Sequence, residues 1–359
     1  MENTPIVRTW FDNLTGNEPL MIAGPCSAET EDQVLKIAHA VKDTAQVYRA
    51  GIWKPRTRPG YFEGVGAPAL KWLQKVKQET GMLVATEVAS AQHAELALSH
   101  DIDILWVGAR STVSPFVVQE LAEALRGTDK PILIKNPLNP DLALWLGAVE
   151  RFYTCDVQNL GVIHRGFSTY EKTGYRNSPE WQIAIELQSK FPDLPLILDP
   201  SHIAGRRDLI GDLCQTSLDL NYDGFIIETH IDPENAWSDA AQQIDPATLM
   251  DIARNLRVRQ KTNDQTEYQT SLKNIRAKID LYDEQLLNVI VKRLQEVDKI
   301  GHLKKSSNVA VLQTKRWDEI LDKMRLRGAG AGLSEEFITI ILKAIHQESI
   351  DRQERVFKN

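Results

Sequence analysis

Four residues of metal-binding type stand beside short apolar runs: Cys26 in AGPCS, His202 in DPSH, Glu228 in IIET and Asp239 in SDAAQQ. A thiolate, an imidazole and carboxylates are the side chains that hold first-row divalent ions. They lie so far apart in the chain that only a closed fold could gather them. Cations follow other runs of the same kind: Arg49, Lys54 and Arg56 (with Thr57) at one, then Arg110, Lys135 and Arg165 at three more. A metal beside such a set of cations suits a substrate carrying both phosphate and carboxylate, because arginine offers forked donors and lysine a compact charge. Taken singly, each residue has an ordinary explanation. A cysteine in an apolar run is usually a small buried hydrophobe, the reading kept for Cys155 and Cys214. One arginine near a strand end is usually an ion-pair partner. The recurrence of such residues after seven of the eight runs is what favours a site.

The runs that would position them cover residues 20–23, 47–53, 83–88, 104–107, 131–135, 161–164, 196–198 and 225–227. Continuous apolar runs indicate strands buried on both faces, and the stretches between them are long enough for crossover helices. Eight such units in about 250 residues predict a (β/α)8 TIM barrel, here residues 1–259, whose catalytic loops begin at the C-terminal ends of the strands. A doubly wound sheet would also alternate, but the G-x-G-x-x-G turn is missing after the first run.

Bulk composition bounds this reading. The 359 residues are 42% hydrophobic and 25% charged, ordinary for a soluble protein with room for one large and one small domain. No apolar stretch reaches the roughly 18 residues of a membrane span. The start, MENTPIVRTW, lacks a basic segment followed by an apolar one, and three cysteines make no disulfide framework, so a reducing cytoplasm is expected. The net charge of -7 argues against broad nucleic-acid binding.

The segments AGPCSAE, YRAGIWKPRT, VGAR, LIKNP, HRGF, DPSH, IIETH and SDAAQQ, in that order, resemble the signatures of 3-deoxy-D-arabino-heptulosonate 7-phosphate (DAHP) synthase. The short subtype fits, since few residues precede the first run. The related octulosonate 8-phosphate synthase usually has Asn in place of the Pro of KPRT; Pro55 stands here, which favours erythrose 4-phosphate as the aldehyde. The resemblance implies that Arg49, Lys54, Arg110, Lys135 and Arg165 hold phosphoenolpyruvate. It implies that Arg56 and Thr57 contact erythrose 4-phosphate and that Cys26, His202, Glu228 and Asp239 bind a divalent metal. A mixed S, N and O shell accepts Mn, Fe, Co or Zn. The implied chemistry is aldol-like: C3 of the enol attacks the aldehyde, water adds at C2 and phosphate leaves, with Lys54 as proton donor. His164 and His230 read as packing or supporting groups.

After a last barrel helix at 246–259, residues 260–270 read as a polar linker, and the chain then changes character. Apolar residues at Leu272, Ile275, Ile279, Tyr282, Leu286, Val289 and Ile290 predict one long amphipathic helix over 271–305. Helices at 314–327 and 334–352 complete a small all-α domain, residues 271–359. Arg293 and Lys304, eleven residues apart, share a face, whereas Arg276 lies about 25 Å before Arg293 and cannot easily serve the same pocket within one chain.

SLKNIRAKIDLYDEQLLNVIVKRLQEVDKIGHLKK followed by VAVLQTKRWDEIL resembles the all-helical chorismate mutases. That resemblance implies an intertwined homodimer in which Arg276 enters the partner's pocket. It implies that Arg276, Arg293 and Arg316 bind chorismate, that Lys304 and Gln353 flank its ether oxygen, and that Ser349 faces the site. Gln313 and Trp317 depart from the usual Asp and Glu, which weakens one substrate contact. Two functions follow for the tail: a second enzyme converting chorismate to prephenate, or a dimerisation and regulatory module with little turnover. In either case prephenate is the expected feedback effector, and neither nucleic acid nor membrane is an expected partner.

Overall fold

Eight parallel strands follow one another in chain order and close into a barrel: β1 (Leu20–Gly24), β2 (Val47–Arg49), β3 (Leu83–Val88), β4 (Ile104–Val107), β5 (Ile132–Lys135), β6 (Leu160–His164), β7 (Leu196–Leu198) and β8 (Gly224–Glu228). Closure is made where β8 pairs back on β1, with Leu20 beside Gly224 and Gly24 beside Glu228. The computed structural model describes residues 8–16, 18–55, 60–170, 174–260, 263–312 and 314–358. The chain forms two compact units, Met1–Lys261 and Thr262–Asn359.

Strand periodicity sorts the barrel side chains. Val47, Ala85, Leu133, Ile163, Ile197 and Ile226 point inward and fill the lumen. A lumen residue such as Ile197, with no exposed surface, contributes roughly 1.5–3 kcal/mol by burial. Two residues further along the same strand paths, with the same inward orientation, stand Arg49, Glu87, Lys135, Arg165, Asp199 and Glu228. The barrel is therefore an apolar plug under a ring of charge at its C-terminal mouth.

Local signals set the surrounding helices. Pro opens the helices Pro115–Ala124, Pro200–Ala204 and Pro246–Asn255, while Ser114, Asp199 and Asp245 cap them by accepting from a first-turn amide. A helix the sequence did not predict, Thr9–Thr15, precedes β1 and adds Phe11 to the lumen cluster.

Several boundaries differ from expectation, among them that of the last helix, expected over 334–352 and found over Glu335–Lys358. The run at 47–53 is strand only to Arg49. Beyond it Gly51 keeps one parallel bridge to Ser27, with Gly51 N donating to Cys26 O at 3.2 Å, and the chain then doubles back, Lys54 N donating to Glu63 O and Gly66 N to Ile52 O, both at 2.9 Å. The helix expected at 246–259 stops at Asn255, where Leu256 turns extended. The long helix starts at Thr266, so residues 266–270 of the expected linker are helical. They contain no Gly or Pro, and Glu267 complements the positive end of the helix.

The second unit consists of the helices Thr266–Ser306, Thr314–Ala329 and Glu335–Lys358. The first has 41 residues and is therefore about 60 Å long. Its buried positions, Leu294, Val297 and Gly301, all lie in its second half. Ile275, Ile279, Tyr282, Leu286 and Val289 are each more than half exposed. Among the described residues no helix is long and apolar enough to cross a membrane.

Candidate active sites

At the barrel mouth, one ligand atom each from Cys26, Glu228 and Asp239 lie within 4.8 Å of one another. Asp239 Oδ2 is 3.5 Å from the Cys26 sulfur, and Lys54 Nζ donates to that sulfur at 3.1 Å and to the Cys26 carbonyl at 2.8 Å. Gly51 makes this approach possible, since a Cβ there would lie 2.7 Å from Cys26 O and 2.9 Å from Lys54 Nζ. His202, on the helix after β7, stands slightly apart, with Nε2 3.8 Å from Glu228 Oε1. Its Nδ1 is 2.8 Å from Asp199 Oδ2. With the imidazole protonated, both ring nitrogens face carboxylates; in its neutral form a donor bond from Nδ1 to Asp199 would leave the Nε2 lone pair for a metal ion.

The chemistry of this set fits a divalent ion. Glu228 Oε1 is buried without a hydrogen-bond partner, an arrangement that costs about 1–3 kcal/mol unless something binds there. Burial and the Glu228 charge push the Cys26 thiol up to about 11, so a bound cation is what would favour its thiolate. Burial would raise Glu228, but His202 and Arg49 hold it below the ordinary carboxylate value. Asp239 is brought down to about 2 against the opposing effect of burial, by Arg176 and His202.

Cations complete the ring. Arg49 and Lys135 approach the buried indole of Trp106, at 4.9 and 5.8 Å from the ring centroid, and Trp106 Nε1 donates to Glu87 Oε2 at 3.0 Å. Arg49 is 1% exposed, yet its Nε and Nη1 have no hydrogen-bond partner; Glu228 Oε1 lies 3.4 Å from Nη1. Lys135 Nζ donates to Asp199 Oδ2 at 2.7 Å. Burial pushes Arg165 down to about 10 against the pull of Asp199, with Arg176 and Arg110 adding to the effect; it remains a cation at neutral pH. Arg110 is exposed on the short helix Ala109–Thr112 that follows β4. Arg56 and Thr57 lie outside the described residues.

In the helical unit, Arg293 Nη1 donates to Ser349 Oγ at 2.8 Å. Gln353 Nε2 donates to Ser349 O at 3.1 Å, while its buried Oε1 has no partner. Lys304 Nζ donates to Val311 O at 2.6 Å, and burial lowers its pKa. Trp317 packs on His346 with ring centroids 4.1 Å apart. Arg276 is exposed on the first half of the long helix, which carries no buried residue. The side chain of Arg316, and Gln313 altogether, lie outside the described residues.

Sequence reasoning missed several neighbours of these groups. Glu87 and Trp106 could have been found by extending the inward parity of β3 and β4. Asp199 stands in the DPSH motif and Gln242 in SDAAQQ, both quoted for other residues. Arg176, in the long connection after β6, follows no strand directly and gave no signal. His164 packs among Trp145, Phe167, Trp181 and Tyr222, and His230 Nε2 lies 3.7 Å from Glu29.

Comparison with known proteins accords with both units. Residues 7–265 match the DAHP synthetase I family and residues 275–354 match chorismate mutase type II. Phospho-2-dehydro-3-deoxyheptonate aldolase of Thermotoga maritima is 30% identical over 66% of this chain and 68% of its own length. Its crystal structure superposes with a TM-score of 0.59 at 28% identity, covering 66% of this chain and 67% of that one. A 2-dehydro-3-deoxyphosphooctonate aldolase of Bradyrhizobium diazoefficiens is 27% identical over 66% of this chain and 87% of its own. The chain belongs to the DAHP synthetase I family and joins to it a chorismate mutase type II domain, which makes it a bifunctional enzyme of the shikimate pathway.

Proposed function

We propose that the charge ring is the condensation site, with Arg49, Lys54, Arg110, Lys135 and Arg165 holding phosphoenolpyruvate and Arg56 and Thr57 holding erythrose 4-phosphate. The observation that carries this is the pair of unsatisfied buried groups in contact range, the Arg49 guanidinium and Glu228 Oε1. An anionic substrate would satisfy the first and a divalent metal the second. Cys26, His202, Glu228 and Asp239 would hold that metal, which when bound supplies Lewis-acid polarisation of the aldehyde. The cations neutralise phosphate and carboxylate and fix the face of the enol whose C3 attacks the aldehyde. Lys54, which donates to the Cys26 carbonyl at 2.8 Å, would give a proton to the developing alkoxide.

In the helical unit, Arg293, Arg316, Lys304, Ser349 and Gln353 would bind chorismate together with Arg276 of a second copy. The exposed apolar face of the long helix supports such a homodimer, since a helix half with no buried residue gains its stability from packing elsewhere. The rearrangement needs no covalent catalyst, only a chair-like conformer and stabilised charge at the ether oxygen, which Lys304 and Gln353 would supply. Because one chain joins an early step to a late branch, prephenate is the proposed feedback effector, and the three unpaired cysteines suit a reducing cytoplasm.

The test follows loss of the enol absorbance of phosphoenolpyruvate with erythrose 4-phosphate or arabinose 5-phosphate, before and after chelation, and chorismate consumption on the same sample. Chelator-sensitive turnover with erythrose 4-phosphate is expected. Preference for arabinose 5-phosphate would move the barrel to the octulosonate reaction. Failure of the full chain to lose its prephenate sensitivity on cleavage near Gln265 would remove the feedback reading.

A further inference from the structure

We propose that Arg176 is the positioning residue of the metal centre, fixing one oxygen of each carboxylate so that the other oxygen faces the ion. This rests on the reading of Cys26, His202, Glu228 and Asp239 as the metal's ligands. Arg176 Nη1 donates to Asp239 Oδ1 at 3.1 Å and to Gln242 Oε1 at 2.5 Å. Gln242 in turn donates from Nε2 to Glu228 Oε2 at 2.6 Å. The oxygens left over are the two that face the centre: Asp239 Oδ2, 3.5 Å from the Cys26 sulfur, and Glu228 Oε1, 3.8 Å from His202 Nε2 and without a hydrogen-bond partner. One guanidinium and one amide thus divide both carboxylates in the same sense.

The same loop is tied to the element that carries the imidazole. Arg176 N donates to Ile203 O at 2.9 Å, and Asn177 Nδ2 donates to His202 O at 2.6 Å. The Arg176 side chain crosses Gly205, whose φ is +67° and where a Cβ would lie 2.4 Å from Arg176 Cβ, so the crossing requires glycine. Asp239 has φ +47°, a left-handed conformation that persists in a non-glycine residue where neighbouring contacts hold it. Arg176 makes one of those contacts. Its charge also offsets part of the repulsion among two carboxylates and a thiolate brought to one point.

The distinguishing experiment is a titration of metal-free full-length protein with Co2+, read by the near-ultraviolet thiolate-to-cobalt band. Arg176→Ala is expected to weaken Co2+ binding roughly 10- to 100-fold, the range typical of groups that orient metal ligands. Arg176→Lys, which keeps the charge and loses the forked donor, is expected to fall between Arg176→Ala and the unaltered protein. Gln242→Leu, which cuts the relay to Glu228 and leaves Arg176 in place, should weaken Co2+ binding by a comparable factor. Chorismate turnover on the same samples should stay unchanged, which guards against general unfolding. Unaltered Co2+ affinity in both Arg176→Ala and Gln242→Leu overturns the proposal, even if synthase turnover falls, because Arg176 would then act on substrate. The underlying reading fails separately if the unaltered protein shows no thiolate band, or if Cys26→Ser leaves the band in place.

Discussion

The two catalytic regions solve the same problem, gathering cations around an anionic substrate, in opposite ways. The barrel draws its charged residues from most of its eight strands and encloses them over a sealed apolar lumen, so that Arg49, Lys135, Asp199 and Glu228 are nearly or wholly buried within one chain. The helical unit has no closed surface. Its long helix separates Arg276 from Arg293 by about 25 Å, and the half bearing Arg276 has no buried residue. A closed sheet can complete a site alone, because every strand ends at the same mouth. A straight helix cannot bring residues seventeen positions apart to one point, so the proposed mutase pocket is shared between copies.

The sharpest way to break this contrast is to damage one site and read both. Glu228→Gln keeps the size of the side chain and removes the charge with the unsatisfied oxygen. It should lower synthase turnover on the order of a hundredfold or more and leave chorismate turnover unchanged, as a two-substrate assay of one preparation would check. A parallel fall in both activities would mean that the sites are not separately assembled.

Sharing is tested by complementation. Arg276→Ala and Arg293→Ala should each cost the mutase on the order of a hundredfold, the scale of losing a charge-assisted contact to a carboxylate. After unfolding and refolding an equal mixture, hybrid dimers should carry one pocket with both arginines, restoring about one site in four by random pairing. If mixing restores nothing, the pocket belongs to a single chain and the comparison collapses.

The contrast also explains what could be read from the sequence. Residues of β1 and β3 to β8 were legible because fully buried parallel strands are continuous apolar runs, and the run after which a cation stood located most of the ring. β2 was overextended because Gly51–Trp53 remain apolar after the regular ladder has ended at Arg49; nothing in their composition records that Gly51 keeps only an isolated bridge to Ser27 before the chain turns back. Glu87 went unread because it sits inside a strand, where a lone carboxylate looks like a substitution, and its bond to Trp106 is visible only across the β3–β4 register. Arg176 lies in a loop whose path depends on Gly205 and on helix contacts distant in sequence. The long helix was legible from its spacing, yet its apolar face gave no indication of where its own unit would cover it and where it would not.

A smaller effect sharpens the account of the ring itself. If Trp106 supports Arg49 and Lys135 through its ring, Trp106→Leu should raise the KM for phosphoenolpyruvate about tenfold, corresponding to one to two cation–π contacts in a desolvated site. Trp106→Phe retains a ring and should recover much of that loss, while lacking the donor to Glu87. Equal values for the two variants would assign the effect to packing and the indole N–H in place of the aromatic face.

A further expected effect concerns acid stability, and the part that His164 contributes should fall on the barrel. His164 is fully buried, its Nδ1 2.7 Å from the Tyr222 hydroxyl and its Nε2 without a partner. Burial pushes it down to about 3 against a backbone hydrogen bond at Pro179, with Arg165 acting in the same direction as burial and Asp199 against it. The unfolded chain takes up this proton below about pH 6.5 while the folded chain does not, so the contribution lowers barrel stability progressively between about pH 6.5 and the folded value. At pH 4.5 it amounts to roughly 2–3 kcal/mol. His164→Phe keeps an aromatic ring among Trp145, Phe167 and Trp181 and removes the titration. It should lose about 1 kcal/mol at pH 7 with the Tyr222 bond, yet fall less steeply on acidification, as denaturant melts at pH 7 and 4.5 would measure. The long helix, whose first half is solvated, has no group in that environment, so an equal flattening in the melting of the helical unit would show that the two units do not unfold separately.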